Sequence, residues 1–271
     1  MNDIDRFLNE DLSKDGDITS DSIFTNETTK GRIISREQCV IAGLEELKEV
    51  FNKTGAKINL MVKEGDLITK NSIVAEITGP SRSILKGERL ALNILGRMSG
   101  IATETKQIVD LVKPINPKIQ IAATRKTTPG FRSFEKKAVE IGGGYCHRIG
   151  LFDEVMIKDN HLKIVGSVEK AIKLVKEKIK DKIIEIEIEK ETDAITAAKL
   201  DVDVIMLDNL DPTKALKISK KIRKINPKII IEISGGINKN NIKKYAAFSD
   251  RISLGYITNS IKCIDFTLEI I

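Results

Sequence analysis

The 271 residues contain no tryptophan and three tyrosines, and aromatic residues make up 4%. Single-stranded nucleic acid is usually gripped by stacking bases on aromatic side chains, so this composition speaks against an RNA-binding role. Cys39, Cys146 and Cys263 are odd in number, far apart and without a CxxC pair. That excludes a disulfide framework and a cysteine zinc site, and leaves reduced thiols. Apolar runs such as 228–233 are far shorter than the ~20 residues that cross a bilayer. The opening MNDIDRFLNEDLSKDGD is acidic where a secretory leader is basic and then apolar. A cytoplasmic protein with no membrane partner is the expectation.

Charge is plentiful. Lys and Arg number 45 against 39 Asp and Glu, for a net charge of +6. Much of the lysine recurs at helical spacing with Glu and Ile, as in VEKAIKLVKEKIK, which describes a solvated helix face and not a nucleic-acid stripe. A basic balance also suits anionic small substrates, which require only a local cluster. With 41% hydrophobic residues the chain is globular, and its length allows a barrel-sized domain plus a smaller one.

The first third reads as mixed structure: a helix over 4–12, a turn at Asp15-Gly16-Asp17 without the acidic ladder of an EF-hand, a strand over 32–40 and a helix over 42–52. Short strands separated by Gly-containing turns follow between Ala56 and Pro80, then a long helix over 84–112. Gly96 and Gly100 either admit a neighbouring backbone or break that helix. From about Lys118 the rhythm becomes strand then helix. Strands are expected at 119–123, 155–157, 183–188, 204–207, 229–233 and 252–254, with helices at 131–141, 168–179, 192–199, 212–225 and 239–248. This alternation implies βαβ units and a parallel sheet.

Nearly every one of these strands ends in polar or glycine residues: Thr124-Arg125-Lys126, Lys158-Asp159-Asn160, Glu187 and Glu189, Asp208-Asn209, Ser234-Gly235-Gly236, and Gly255. Chemistry in a β/α barrel sits at the C-terminal strand ends, so a closed or nearly closed barrel is favoured over an open sheet. In IEIEIEK, Glu185, Glu187 and Glu189 share one face and the isoleucines the other. Inward carboxylates require partners, for which Arg125, Lys126 and Lys158 are the candidates; a solvent-facing edge strand is the alternative. Ser234 to Gly236 before a helix, with Gly255, forms a reasonable phosphate cradle. Gly142 to Gly144 follows a helix, fits no dinucleotide fingerprint, and reads as a loop that places His147 and Arg148. His147 is either a packed core histidine or, given Arg148 beside it, a ligand contact; His161 stays open. Two histidines do not make a metal site of the usual spacing. Lys158 has the position of a Schiff-base lysine, but the crowd of cations around it favours several anionic groups on the substrate.

The stretch TRKTTPGFRSFEKKAVEIGGGYCHRIGLFDEVMIKDNH, with GERLALNILGRMSGIAT, EIEIE, IMLDN, ISGGI and LGYITNS in the same order, resembles the quinolinate phosphoribosyltransferase family, also called nicotinate-nucleotide pyrophosphorylase (carboxylating). The resemblance implies an α/β protein: an N-terminal α/β sandwich over 1–105, to which 263–271 returns, and a C-terminal incomplete, TIM-like β/α barrel over 106–262. The implied reaction joins quinolinate to phosphoribosyl pyrophosphate, giving nicotinate mononucleotide, pyrophosphate and CO2 on the route to NAD. Arg125, His147, Arg148 and Lys158 would line the quinolinate site. Lys126 would reach the donor, Glu187 and Asp208 would face its ribose and a Mg2+ ion, directly or indirectly, and Ser234, Gly235, Gly236 and Gly255 would hold its 5′-phosphate. Arg89 would enter the partner subunit's site, making a homodimer the minimum assembly and a hexamer a larger alternative. Cys146 departs from the asparagine expected in most relatives. A relative associated with molybdenum transport shares the fold, but the intact His147-Arg148 and IKDNH elements argue against it. A Schiff-base aldolase at Lys158 and an RNA-binding protein are the remaining competitors.

Overall fold

The computed structural model describes residues 2–271, which group into two units. The first comprises residues up to Lys106 together with Phe134–Gly143 and Ser260–Ile271. Helix α1 (Asp3–Leu12) begins in a capping box: the Asn2 side chain accepts from the Asp5 amide at 2.9 Å, and Asp5 takes the Asn2 amide in return. Helix α2 (Ile18–Ile23) is capped by Asp17 on the Ser20 amide. Strand β1 (Thr28–Ser35), ribbon strand β2 (Cys39–Val40), helix α3 (Leu44–Thr54), strands β3 (Lys57–Leu60), β4 (Leu67–Ile68) and β5 (Ile73–Pro80) and helix α4 (Ser81–Val112) follow. With the C-terminal strand Phe266–Ile270 (β12) they build an antiparallel sheet in the order β12-β1-β5-β3, and β2 pairs β4.

The strand expected over 32–40 is therefore two strands, interrupted at 36–38. Gly96 and Gly100 do not break α4. They let the returning C-terminal segment press against it: a Cβ on Gly96 would lie 2.8 Å from the Ile264 carbonyl oxygen, and the Ile264 amide donates to the Gly96 carbonyl at 3.0 Å. Helix α5 (Arg132–Ile141) carries the second surprise, because residues 134–143 belong to the first unit and not to the barrel segment. Its fully buried Glu135 is held by Arg97 of α4 at 2.7 and 3.1 Å, and the Phe134 ring lies 5.7 Å from that of Phe7. Those are anchors within the first unit, invisible to a strand-helix count.

The second unit comprises Gln107–Ser133 and Gly144–Asn259. Strands β6 (Gln120–Ala123), β7 (Val155–Ile157), β8 (Ile184–Ile188), β9 (Val204–Asp208), β10 (Ile230–Ser234) and β11 (Arg251–Leu254) form one parallel sheet in the order β6-β11-β10-β9-β8-β7. Between them run α6 (Asp159–Val165), α7 (Val168–Lys178), α8 (Glu191–Lys199), α9 (Pro212–Ile225), α10 (Lys243–Ala246) and, after β11, α11 (Tyr256–Asn259). The edge strands β6 and β7 are not paired with each other, so the barrel is incomplete; one bridge, Ala122 to Tyr145, extends the β6 edge. The helix expected over 239–248 shrinks to the four residues of α10. Before it, Asn238 and Asn241 spend their side chains on local backbone amides, the competition that keeps asparagine out of helix interiors. Register aligns the strand ends: Ser234 faces Asp208, and Ile188 faces Leu207. No helix among the described residues is long and apolar enough to cross a membrane.

Candidate active site

At the C-terminal ends of the parallel strands lies a cavity of about 370 Å³. It gathers Arg125, Lys126, His147, Arg148, Lys158, Glu187, Asp208 and Ser234 with Thr124, Met156, Met206 and Ser253. Arg125 and Lys126 leave β6, Lys158 leaves β7, Glu187 stands near the end of β8, and Asp208 and Ser234 close β9 and β10.

One side of the cavity is cationic. Arg148 is buried, with Nη2 3.3 Å from the Met156 sulfur and Nη1 donating to the Glu154 carbonyl at 3.4 Å. Burial first, and then the neighbouring Arg125 charge, push its proton affinity below the ordinary arginine value. The Nε of Arg125 is itself buried with no hydrogen-bond partner. Two guanidinium groups on one wall suit an anion, since planar guanidinium favours carboxylate or phosphate.

His147 holds a left-handed backbone (φ 53°), uncommon outside glycine, which turns its ring into the barrel. Its Nε2 lies 3.0 Å from Glu185 and 3.5 Å from Glu232, both fully buried. Burial alone would lower the imidazole pKa, but hydrogen bonds and charge from the two carboxylates outweigh it and raise the value to about 9. Glu232 is further held by Arg251 at 3.1 Å and by the Ser253 hydroxyl, while Arg251 stacks 4.6 Å over the Tyr145 ring. The partner expected for Glu185 was a strand-end Arg or Lys; it is His147. Lys158 alone matches that expectation, reaching Glu187 at 2.7 Å, and Glu189 points to solvent. Glu232 and Arg251 were missed, although Ile231-Glu232-Ile233 repeats the alternation that marks inward carboxylates in β8. The exposed His161 works on the backbone: its Nδ1 accepts from the Lys158 amide at 2.9 Å, at the start of α6.

The other side is acidic and then glycine-rich. Burial, and next the charge of Glu187, raise the Asp208 carboxyl, while the Ser234 hydroxyl pulls it down. Asn209, also left-handed (φ 54°), donates its side-chain amide to Asp208 at 2.5 Å. Gly235 (φ 88°) packs on that turn: a Cβ there would meet the Asn209 side chain and lie 2.7 Å from its backbone nitrogen. Gly236 (φ 61°) faces open space. A Cβ on Gly255 would lie 2.8 Å from the Lys126 Cδ, so the lysine stem crosses that glycine, and Thr258 donates to the Lys126 carbonyl at 2.8 Å. Gly235, Gly236 and Gly255 follow the lining residues in the chain and do not line the cavity themselves. Arg89 lies exposed on α4 in the first unit. The Glu187 and Asp208 carboxylates, on adjacent strands, offer the hard oxygen donors that Mg2+ prefers.

An incomplete parallel barrel with a cation-walled, partly acidic pocket at its strand ends defines an enzyme acting on small polyanions. Comparison narrows this. Residues 17–99 match the family model described as quinolinate phosphoribosyl transferase, N-terminal domain, and 101–269 the corresponding C-terminal domain. A probable nicotinate-nucleotide pyrophosphorylase (carboxylating) from Archaeoglobus fulgidus is 43% identical over 94% of this chain and 98% of its own. The Homo sapiens nicotinate-nucleotide pyrophosphorylase (carboxylating) is 34% identical over 85% of this chain and 78% of its own. A crystal structure of nicotinate-nucleotide pyrophosphorylase from Ehrlichia chaffeensis superposes with a TM-score of 0.92 at 38% identity, covering 99% of this chain and 97% of that one. The chain belongs to the quinolinate phosphoribosyl transferase family.

Proposed function

We infer that this chain joins quinolinate to phosphoribosyl pyrophosphate and releases pyrophosphate and CO2 to give nicotinate mononucleotide, a step of NAD biosynthesis. The observation that carries this reading is the buried Arg148 next to the half-buried Arg125, whose Nε is buried without a partner, beside a cationic His147, a wall suited to two adjacent carboxylates. Arg125, Arg148, His147 and Lys158 bind and orient the pyridine dicarboxylate. Lys126 takes the donor's pyrophosphate, and Ser234, Gly235, Gly236 and Gly255 accept its 5′-phosphate on close-approaching backbone. Glu187 and Asp208 face the ribose. As pyrophosphate departs, positive charge grows on the anomeric carbon, and carboxylates fixed nearby stabilise it without reorganising. The pyridine nitrogen then bonds to that carbon. The positive nitrogen so formed stabilises the electron pair left in the ring plane on the adjacent carbon when its carboxylate departs as CO2, and a proton taken up from water replaces the carboxylate there, so the protein mainly positions and neutralises.

Mg2+ held by Glu187 and Asp208, directly or through water, would neutralise the leaving pyrophosphate. A homodimer with Arg89 donated across its interface completes the site; Arg89 is exposed and makes no ion pair among the described residues, which suits a role outside its own chain. A cytoplasmic location accompanies the reading. The test is an assay with phosphoribosyl pyrophosphate and Mg2+ against quinolinate, nicotinate and nicotinamide in parallel. Nicotinate mononucleotide and CO2 from quinolinate alone support it; product only from nicotinate would overturn the dicarboxylate wall while keeping the fold.

A further inference from the structure

Beneath the cavity the barrel interior holds a group of buried charges around His147, of which the proposed chemistry uses only His147 itself. Glu185 on β8 and Glu232 on β10 both reach Nε2 of His147, and Arg251 on β11 reaches Glu232. All four side chains are essentially buried, so the charges must balance among themselves. Two carboxylates against Arg251 leave one negative charge over, which one proton cancels; burial and then the Glu232 charge push the Glu185 carboxyl up, so it competes for that proton, but His147 Nε2 is the atom that reaches both carboxylates, at 3.0 and 3.5 Å. The remaining groups that face the ring are Arg148 beside it in the chain, Glu154, whose carboxylate comes within 4.8 Å of the His147 and Glu185 ligand atoms, and the Tyr145 ring, edge-on at 6.2 Å. Nδ1 of His147 takes no hydrogen bond from any described residue, and His147 lines the cavity.

We propose that Glu185 and Glu232 are positioning residues: they anchor Nε2 of His147 so that the ring stays cationic and offers Nδ1–H to the pocket, making the site demand a carboxylate and reject a neutral carboxamide there. The discrimination rests on the quinolinate reading, whereas the state of the ring does not. A neutral histidine already favours a carboxylate over an amide oxygen, because one ionised partner about doubles the strength of a hydrogen bond. A histidine held positive by buried carboxylates adds the attraction of opposite charges, which the amide cannot share, and so widens that preference.

The first measurement is an NMR pH titration of the substrate-free, full-length protein labelled with ¹⁵N-histidine. With only His147 and His161 present, His161→Gln assigns both signals. The expected result is one imidazole fully protonated at neutral pH that titrates near pH 9, with Nε2 the hydrogen-bonded nitrogen. A His147 that titrates at or below the ordinary value of about 6.5 overturns the proposal without any variant, and so does stoichiometric metal retained on the ring. Glu232→Gln should lower its titration by at least about one pH unit, equal to a tenfold loss of proton affinity. In kinetics the same variant should raise KM for quinolinate at pH 8, recover it towards pH 6, leave kcat little changed, and narrow the preference for quinolinate over its 3-carboxamide analogue. A KM loss independent of pH would mark the pair as merely structural. If quinolinate is no substrate at all while His147 titrates high, the proposed reaction fails and the charge clamp stands.

Discussion

Gly235 and Gly236 are neighbours, both left-handed, and the structure assigns them opposite vulnerabilities. Alanine at either position must adopt a positive φ, which costs about 1–2 kcal/mol, less about 0.4–1 kcal/mol returned through a less flexible unfolded chain. At Gly236 nothing lies within 4 Å of the added carbon, so the net loss is about 0–1.6 kcal/mol. At Gly235 the new carbon meets the Asn209 turn, with its backbone nitrogen at 2.7 Å. That turn cannot yield easily, because the Asn209 amide is bonded to the Ser234 carbonyl at 3.0 Å and its side chain to Asp208. Forced repacking adds about 1–3 kcal/mol. Gly235→Ala should therefore lose about 1–4.6 kcal/mol, a fall of roughly 0.5–2.3 M in the urea midpoint at an m-value near 2 kcal/mol/M. Gly236→Ala should stay the more stable of the two and raise KM for phosphoribosyl pyrophosphate, since its methyl group would enter the space proposed for the 5′-phosphate. Urea unfolding followed by circular dichroism and steady-state kinetics on both variants decide the matter. Equal stability of the two refutes the packing argument, and an unchanged donor KM in Gly236→Ala refutes the cradle.

Arg148→Ala should raise KM for quinolinate by roughly ten- to a hundredfold, the equivalent of about 1.5–3 kcal/mol for a charge-assisted bond, with a smaller effect on the donor; isothermal titration with quinolinate checks it. Stability should fall with alkali: the His147 pKa is raised from 6.5 to about 9, so its contribution is fully present below pH 6.5 and is lost as pH rises through 9. Urea midpoints at pH 6.5 and 9.5 should show that fall, and it should flatten in Glu232→Gln. Gly96→Ala should destabilise the first unit by about 1–3 kcal/mol, because its Cβ meets the Ile264 carbonyl of the returning C-terminal segment; thermal unfolding reads it directly.

The parallel sheet was legible because its strands are short Ile-rich runs alternating with helices, the pattern of strands buried on both faces; the polar residues at the strand ends favoured a barrel over an open sheet. Strand-end residues could be read for the same reason: periodicity fixes where each strand stops, and Arg125, Lys158, Glu187, Asp208 and Ser234 fall at or beside those stops and share one cavity. What stayed hidden depends on contacts between distant segments. Helix α5 has the period of a barrel helix, and contacts distant in sequence, Arg97 on its buried Glu135 and Phe7 against Phe134, reveal that it serves the first unit. The shortness of α10 depends on asparagine side chains competing for amides, and the partner of Glu185 on a left-handed turn at His147 that no local pattern announces.

The inward carboxylates explain how the wall of the pocket can be so positive. In β8 the isoleucines at 184, 186 and 188 are buried, and the alternating positions carry Glu185 below the cavity and Glu187 at its rim. Each carboxylate holds one cation: His147 for Glu185, Lys158 for Glu187. Without them, His147, Arg148, Arg125 and Lys158 would repel one another around one cavity, and the buried members, His147 and Arg148, would hold their protons less tightly. With them, the cations are fixed while Arg125 Nε remains unsatisfied, so part of the wall's positive field is left for a ligand. Replacing Glu187 should therefore act on both substrates at once, removing a charge proposed to face the ribose and also freeing Lys158 from the place where quinolinate is proposed to bind.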